Sequence, residues 1–419
     1  MNISEVRKVG GRYKLLIVGG GLAAVSALEV LAQEKAAENC AIISSEPHLP
    51  YDRPPLSKDY LLGRIPREEA FLKPESFYSE NGIDVFLKKN VTALDTSARK
   101  VHTHDGVHVE FENLMIATGA ELVILRIPGA DLEGIFYLRV LGDSEAIHKA
   151  AGDSRSAVVI GAGFIGLEVA CALQQMGLSV TVLEVAHTVF PALTTPELSD
   201  FYLRYFKEKG VEFVFGEKAE AFEGNGRLRA VRTSGGRKLR CDIAVVGVGV
   251  KPATDFLEGS GLELNNGIMV NEFMETNIPG IYAAGDAANY FDLIYKRRRR
   301  IEHWDNAIKQ GQVVAQNVLG HRQPYSGVSY FFSDVWDLHW QLVGDFEGAT
   351  QRVIRGAMED RKFGILYLKA RFPQAMFLLG LPFKEIRIAE NLIVQKISLE
   401  DHLEKLKDPS FPLKDLLPS

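Results

Sequence analysis

The chain has 419 residues, which is too long for one hydrophobic core of ordinary size and indicates two or three domains. Charged residues make up 24% and hydrophobic residues 46%, a balance typical of globular proteins, and the net charge of −6 gives no general attraction to nucleic acid. Every apolar run falls short of the roughly 18 residues that a membrane span requires. The start, Met1–Glu5, lacks a signal-peptide apolar stretch, so we expect a cytoplasmic protein.

A glycine-rich turn lies close to the start of the chain. The apolar run Leu15–Val18 precedes Gly19–Ala24, and a stretch with helical character follows. A GxGxxG-like pattern alone is weak evidence, but a strand before it and a helix after it are the context in which it binds a dinucleotide. Its glycines make the tight turn and let backbone amides approach a pyrophosphate at the helix N-terminus. We therefore predict that Gly19, Gly21 and Ala24 cradle a dinucleotide.

A second glycine-rich turn follows 142 residues later, counted from Gly19 to Gly161. The apolar run Ala157–Ile160 precedes Gly161–Gly166, and a helical stretch again follows. One such unit binds one dinucleotide, so two units predict two. The natural pairing is a flavin that is held permanently and a nicotinamide that exchanges. The second set of predicted binding residues is Gly161, Gly163, Ile165 and Gly166.

Each glycine turn has an acidic residue in the expected place. The strand-like runs Ala41–Ser45 and Ser179–Leu183 end at Glu46 and Glu184, roughly 20 residues beyond the glycines. A single glutamate there is equally typical of a solvated charge at a strand end, but the repetition in register favours carboxylates that accept ribose hydrogen bonds. Glu184 would repel a 2′-phosphate, so the sequence favours NADH over NADPH.

The cysteines indicate no thiol chemistry. Cys40, Cys171 and Cys241 are far apart and form no CxxC pair, so neither a disulfide framework nor a metal site is predicted. The segment Glu46–Lys58, where disulfide-reducing flavin enzymes carry their redox cysteines, contains none. We therefore expect electrons to leave the flavin directly.

The order of the runs predicts an α/β chain with two Rossmann-like nucleotide-binding domains and a C-terminal α+β domain. We assign residues 1–125 and 252–327 to a discontinuous flavin domain, 126–251 to a nicotinamide domain and 328–419 to the third domain. Apolar runs at 340–344, 364–368 and 375–379 predict antiparallel strands, and a helix is predicted near 385–395.

Further motifs, taken together, resemble one known family. They are Arg53–Lys58, Ala117–Ala120, Gly166–Ala170, Tyr282–Asp286 and Glu302–Ala307. The chain resembles, over residues 14 to 400, the FAD-dependent reductases of the glutathione-reductase fold that lack redox cysteines. These include ferredoxin and rubredoxin reductases, apoptosis-inducing factor and monodehydroascorbate reductase. The resemblance implies FAD and NADH as cofactors, and an NAD(P)H-dependent oxidoreductase.

The resemblance also implies roles for individual residues. Lys58 is expected near flavin N5, paired with Glu168, as the catalytic pair; the alternative is a lysine that starts a surface helix and an ordinary helical glutamate. Asp286 is expected on the ribityl chain, with a helix N-cap as the alternative. The remaining residues expected at the cofactors are Gly19, Gly21, Ala24, Glu46, Arg53, Thr118, Gly119, Glu302, His303 and Trp304 for FAD, and Gly161, Gly163, Ile165, Gly166, Glu184 and Gly249 for NADH.

The electron acceptor is the open question. The basic run, Lys296–Arg300, would attract a small acidic ferredoxin or rubredoxin if it lies at the rim of the flavin site, and a solvated hairpin is the alternative. Phe332 stands where many ferredoxin reductases of this kind have tryptophan, and Asp337–Gln341 is closer to monodehydroascorbate reductase. A small radical or quinone acceptor, or an apoptosis-inducing-factor-like sensor of NADH, therefore stays open. We interpret Trp336, His339 and Trp340 as core, and expect a monomer or homodimer.

Overall fold

The computed structural model describes residues 11–191 and 195–418, which form two compact units. The first comprises the described residues of Met1–Asp52, Phe71–Glu121 and Lys251–Phe331. The second comprises those of Arg53–Ala70, Leu122–Val250 and Phe332–Ser419. The N-terminal residues on which the localisation prediction rests lie outside the described residues, and the three-domain partition stays a prediction.

The strands of the described residues are, in chain order, β1 Arg12–Val18, β2 Cys40–Ile43, β3 Ile83–Phe86, β4 Val91–Asp95, β5 Lys100–Thr103, β6 His108–Ile116, β7 Ala120–Leu122, β8 Ile135–Tyr137, β9 Ser156–Ile160, β10 Ser179–Glu184, β11 Glu212–Phe215, β12 Ala219–Asn225, β13 Arg227–Thr233, β14 Lys238–Arg240, β15 Ile243–Val246, β16 Val250–Pro252, β17 Ile268–Met269, β18 Ile281–Ala283, β19 Ala288–Asp292, β20 Arg297–Arg299, β21 Tyr330–Val335, β22 Leu338–Gly344, β23 Gln351–Ala357, β24 Lys362–Lys369 and β25 Phe372–Leu379. The α-helices are α1 Leu22–Gln33, α2 Glu75–Glu80, α3 Leu141–Gly152, α4 Phe164–Gln175, α5 Pro196–Glu208, α6 Trp304–Val318, α7 Lys384–Val394 and α8 Leu403–Leu406.

The first unit is built on one sheet with the order β3-β2-β1-β6-β5-β4, and β18 also pairs with β6. β1 runs parallel to both β2 and β6, and β18 runs parallel to β6. Leu15, Leu16 and Ile17 of β1 are completely buried, as expected for a parallel strand covered on both faces. The carboxyl ends of β2, β1, β6 and β18 therefore meet at one edge of the sheet, where the first glycine turn lies.

The second unit repeats this arrangement in a parallel sheet with the order β11-β10-β9-β15-β8. Its central strands are uninterrupted apolar runs, and the antiparallel ribbon β12-β13-β14 packs against them through one shared cluster. The second glycine turn follows β9. Two nucleotide-binding sheets in one chain agree with the predicted fold class.

The last part of the second unit is a five-stranded sheet with the order β21-β22-β25-β24-β23. The pairs β22–β25, β25–β24 and β24–β23 are antiparallel, and α7 packs against the sheet. The three predicted apolar strands correspond to β22, β24 and β25, and the predicted helix to α7. The predicted α/β chain with a C-terminal α+β domain is confirmed.

One buried arginine fixes the end of the chain to this sheet. Arg355 on β23 is completely buried and donates to both carboxylate oxygens of Glu385 on α7, each at 3.0 Å. Its remaining hydrogens go to the carbonyls of Leu406, Asp408, Pro409 and Phe411. A guanidinium with this many acceptors tolerates burial, because each lost water contact has a replacement.

Among the described residues, no helix combines the length and the apolar character that crossing a bilayer requires.

We predict that Arg355→Met lowers the stability of the second unit by about 3 to 5 kcal/mol, because Glu385 would stay buried without its partner. The urea midpoint, followed by tryptophan fluorescence, measures the loss. Arg352→Ala on the same strand is the control, since Arg352 is 42% exposed and its ion pair with Glu197 is worth about 0 to 1 kcal/mol. Equal losses in the two variants would contradict this account.

Candidate cofactor and nucleotide sites

The first glycine turn has the geometry that a pyrophosphate needs. Gly19 has φ +113°, and a Cβ there would lie 2.2 Å from the carbonyl oxygen of Ala117, so only glycine fits. Gly21 is the N-cap of α1, which has no side-chain capping bond in the described structure. A Cβ on Gly21 would meet no atom within 4 Å, so open space faces the helix N-terminus. An anion could therefore approach the N-terminus of α1.

Predicted flavin residues follow the carboxyl ends of the other strands in this sheet. Glu46 lies beyond β2 and accepts a hydrogen bond from the Tyr51 hydroxyl, a partner that no sequence motif indicated. Thr118 and Gly119 follow β6, and the Thr118 hydroxyl donates to the carbonyl of Ala253 at 2.8 Å. The parallel register brings these loops to the edge that holds the first glycine turn.

Asp286 lies at the same edge, directly after β18. It sits in a single 3-10 turn, Gly285–Ala287, and the chain then enters β19. The alternative of a helix N-cap is therefore wrong for Asp286. The amide of Gly285 donates to the Gln310 side chain at 2.8 Å, which ties this turn to α6.

The segment before α6 carries three more predicted residues. His303 is the N-cap of α6, and its ring lies 4.6 Å from that of Phe331. Trp304 begins the helix and donates through its indole nitrogen to Asp52 at 2.9 Å. Glu302 forms an ion pair with Arg300. Accessible turn amides, a nearby carboxylate and loops that converge at one sheet edge together fit FAD in the first unit.

The second glycine turn repeats the geometry of the first. Gly161 has φ +108°, and a Cβ there would lie 2.3 Å from the carbonyl oxygen of Gly247. A Cβ on Gly166 would lie 2.0 Å from the carbonyl oxygen of Gly161, so the third glycine allows α4 to pack against β9. Gly163, the N-cap of α4, again has open space before it, and the neighbouring Ile165 is 46% exposed.

Glu184, the last residue of β10, spans this turn. Its side chain is buried and accepts hydrogen bonds from the amides of Ala162 at 2.6 Å and Ala186 at 2.8 Å. The carboxylate thus fixes the turn and also places a negative charge beside it. Gly249 lies after β15 with φ +112°, and its carbonyl accepts from the Val123 amide at 3.1 Å. This arrangement fits a nicotinamide dinucleotide.

The structure brings Lys58 and Glu168 together within the second unit. Lys58 Nζ lies 3.2 Å from Glu168 Oε1, and the Glu168 side chain is only 7% exposed. The hydroxyls of Ser57 and Ser333 each donate to one of the Glu168 carboxylate oxygens. Glu168 is therefore a buried carboxylate with a cation and two hydroxyl donors, and the alternative of an ordinary helical residue is wrong.

Lys58 has a second acidic partner that the sequence did not indicate. Its Nζ lies 3.2 Å from Asp334 Oδ2 and 5.3 Å from the centroid of the Phe332 ring. Burial alone would lower the pKa of Lys58, but the charges of Glu168 and Asp334 outweigh it and raise that pKa above 10.5. Lys58 therefore stays positively charged at neutral pH.

The turn that carries Lys58 is held from both sides. Arg53 donates to the carbonyl of Arg139, and the buried Ser144 hydroxyl donates to the carbonyl of Leu56 at 2.8 Å. These contacts tie the 3-10 turn Pro54–Ser57 to α3 and to the connection that precedes it. No motif in the sequence predicted Ser144, because its role depends on a contact between segments distant in sequence.

The basic run lies mainly on the hairpin of β19 and β20, as the alternative interpretation proposed. Arg299 pairs with the buried Asp292 at 3.0 Å, and Arg300 is 11% exposed and donates to the carbonyl of Asp286 at 3.0 Å. Lys296 and Arg298 are exposed, although Arg298 also donates to two backbone carbonyls. Only part of the run is therefore available to attract a partner.

The three cysteines are buried, whereas the residues interpreted as C-terminal core are buried only in part. All three cysteines are free and buried, and burial raises the pKa of Cys40 and Cys171 to about 11 and that of Cys241 to about 12. Such thiols stay protonated at neutral pH and react poorly. Trp340 is buried as predicted, but the side chain of His339 is 70% exposed, so its interpretation as core is wrong.

Comparison with known proteins identifies the family. Residues 13–311 match the family model "Pyridine nucleotide-disulphide oxidoreductase", and residues 330–417 match "Reductase C-terminal". The chain is 33% identical to the 5,5'-dehydrodivanillate O-demethylase ferredoxin reductase subunit of Sphingobium sp. (strain NBRC 103272 / SYK-6), covering 96% of this chain and 98% of the relative. It is also 33% identical to monodehydroascorbate reductase of Pisum sativum, covering 93% and 96%.

A solved structure agrees with these relatives. The covalent putidaredoxin reductase–putidaredoxin complex contains a chain that superposes with a TM-score of 0.91 at 30% identity, covering 96% of this chain and 97% of that one. The two nucleotide-binding sheets and the C-terminal sheet are thus parts of one known architecture. The chain belongs to the pyridine nucleotide-disulphide oxidoreductase family and is an FAD-dependent NAD(P)H oxidoreductase of the ferredoxin reductase type.

Proposed function

We propose that this protein passes electrons from NADH, through FAD, one at a time to a small iron-sulfur protein of the ferredoxin or rubredoxin kind. The observation that carries the proposal is the buried Lys58–Glu168 ion pair, in a chain whose cysteines are all buried and protonated. A fixed cation beside the flavin would stabilise its anionic reduced form without a thiol. When bound, FAD supplies the hydride-accepting and single-electron chemistry that no side chain of this protein provides.

The protein's own residues bind and orient the cofactors in this proposal. Gly19, Gly21 and Ala24 would hold the FAD pyrophosphate, and Glu46 would accept the ribose hydroxyls. On the nicotinamide side, Gly161, Gly163, Ile165 and Gly166 would hold the NADH pyrophosphate, with Glu184 and Gly249 beside the nucleotide. The other residues assigned to FAD are Arg53, Lys58, Thr118, Gly119, Asp286, Glu302, His303 and Trp304.

An iron-sulfur partner is supported by charge as well as by similarity. Lys296 and Arg298 are exposed on the hairpin whose neighbour Arg300 contacts Asp286, so we place the partner surface beside the flavin loops of the first unit. Exposed cations would increase the association rate of a small acidic protein. The complex of putidaredoxin reductase with putidaredoxin is the precedent among proteins of similar structure.

A small-molecule acceptor is the second candidate. Phe332, rather than tryptophan, lies against Lys58, and the monodehydroascorbate reductase of Pisum sativum is as similar in sequence as the ferredoxin reductase relative. A radical or quinone would then receive the electrons directly.

Purified protein should carry non-covalent FAD and should turn over NADH fast only with one class of acceptor. Steady-state rates with a ferredoxin, a rubredoxin, a monodehydroascorbate-generating system and a quinone separate the two candidates. Fast turnover with an iron-sulfur protein, lowered by Lys296→Glu and by salt, supports the proposal. Fast turnover with a radical or quinone alone supports the second candidate. A colourless protein, or slow turnover with every acceptor, would reject both.

We predict that kcat/KM for NADH exceeds that for NADPH by at least about fivefold, because like charges in contact cost about 1 kcal/mol or more. Glu184→Gln should reduce this ratio, since it removes the charge but retains an oxygen acceptor for the amide of Ala162 or of Ala186. Glu212→Gln, an exposed glutamate on the neighbouring strand, is the control and should leave the ratio unchanged. An unchanged ratio in Glu184→Gln would contradict the assigned role of Glu184.

We predict that Lys58 and Glu168 act as one unit in flavin reduction. Lys58→Met and Glu168→Gln should each slow flavin bleaching by NADH, and the double variant should lose less than the sum, with a coupling of about 0.5 to 3 kcal/mol. Rapid mixing measures each rate. Lys73→Met, which breaks the ion pair with Glu29, is the control. Strictly additive losses would show that the two residues do not cooperate.

A further inference from the structure

A line of hydrogen-bonded groups connects Lys58 with the surface of the second unit. Asp334 bridges two residues with different oxygens: Oδ2 lies 3.2 Å from Lys58 Nζ, and Oδ1 lies 2.8 Å from His339 Nδ1. The exposed fractions of the three side chains increase outward, from 15% for Lys58 to 39% for Asp334 and 70% for His339. The line therefore begins at a partly buried cation and ends in water.

The opposite side of Lys58 offers no comparable route among the described residues. Glu168 is 7% exposed, and its oxygens already accept from Ser57 and Ser333, which are both buried. Those contacts hold Glu168 in place. Asp334, by contrast, has one oxygen for Lys58 and the other for an exposed imidazole.

Two adjacent strands create this line. Asp334 lies on β21 and His339 on β22, joined by a tight connection in which Trp336 has φ +48°. Trp336 is held there, because its amide donates to Cys171 Sγ at 3.2 Å and its indole nitrogen to Gln174 at 3.0 Å, both on α4. The helix that carries Glu168 thus also fixes the connection that places His339 against Asp334.

The proposed function requires a proton to leave the protein in each cycle. NADH delivers two electrons and one proton as hydride, whereas two one-electron acceptors take electrons only. The balance is NADH plus two oxidised acceptors giving NAD⁺, two reduced acceptors and one H⁺. A proton that reaches the partly buried Lys58 therefore needs a route to water.

We propose that Asp334 and His339 conduct this proton from Lys58 to solvent. Lys58 Nζ gives a proton to Asp334 Oδ2 and regains the proton that the reduced flavin would release as the acceptors oxidise it. Asp334 gives a proton through Oδ1 to His339 Nδ1, and His339 Nε2 releases one to water. The exposed ring then turns over and regains its starting tautomer, so each group returns to its starting state. Imidazole suits the outer position, because it exchanges protons with water near neutral pH.

The inference rests on the proposed function, but its test does not depend on the natural acceptor. Ferricyanide takes single electrons and no proton. The NADH-reduced holoenzyme is mixed with ferricyanide in weak buffer, and flavin absorbance and a pH-indicator dye are followed together. In His339→Gln and Asp334→Asn, proton release and reoxidation should slow at least about fivefold, a modest part of the 10²–10⁴-fold that a positioned acid–base group provides. His321→Gln, an exposed histidine of the first unit, is the control.

Three further readouts separate conduction from a general effect on structure or charge. Free imidazole should restore the rate in His339→Ala. The flavin midpoint potential should be unchanged in His339→Gln, since a conduit changes rates and not equilibria. In the resting oxidised holoenzyme, NMR exchange of the Lys58 ammonium hydrogens with water should be slower in His339→Gln than in wild type.

Unchanged proton release and unchanged Lys58 exchange in His339→Gln would overturn the proposal. So would a shifted midpoint potential that accounts for the slower rate. If the wild-type protein fails to reduce ferricyanide with NADH, the proposed function fails, while the exchange measurement still tests the conduit. Because His339 is exposed, its variants should fold, and the circular dichroism spectrum checks this.

Discussion

The positive charge of Lys58 is the constraint on which the candidate site depends. A buried ammonium without partners loses its charge, because desolvation lowers its pKa. Here Glu168 and Asp334 hold it, and Ser57 and Ser333 in turn hold Glu168. These partners lie on a 3-10 turn, on α4 and on β21, so Lys58 meets them only when three distant segments have assembled correctly. The strand β21 near the end of the chain therefore contributes to the environment of Lys58 as well as to the scaffold.

The two glycine turns share one geometry, and that geometry depends on fewer parts of the chain than the surroundings of Lys58 do. In each, a parallel strand ends in a glycine with positive φ, and the next helix begins at a glycine that faces open space. The requirement is local, since strand, turn and helix are consecutive in sequence. Glu184 adds a longer-range element, because its carboxylate accepts from the amide of Ala162 in the turn and from that of Ala186 after β10, and so couples the nucleotide site to the end of β10.

The C-terminal sheet shows which features the periodicity of apolar residues can predict and which it cannot. The apolar runs predicted β22, β24, β25 and α7, because a strand or helix that buries one face must repeat its apolar residues. The same runs gave no indication that Arg355 would be buried or that it would bind the carbonyls of the chain end. The basic run was equally ambiguous. Only the positions of Asp292 and Asp286 decided that Arg299 and Arg300 are held inside, leaving Lys296 and Arg298 exposed.

The sequence by itself determined both glycine turns, their acidic residues, the absence of a redox cysteine pair and the α/β class, since each follows from neighbouring residues or from composition. It also indicated Lys58 and Glu168 through the family resemblance. Only the tertiary structure decided what surrounds them. Asp334 and His339 are 276 and 281 positions after Lys58 in the sequence, and no spacing rule applies at that distance. Which carboxylate meets which cation depends on how strands from distant parts of the chain pack, and that is a property of the folded core.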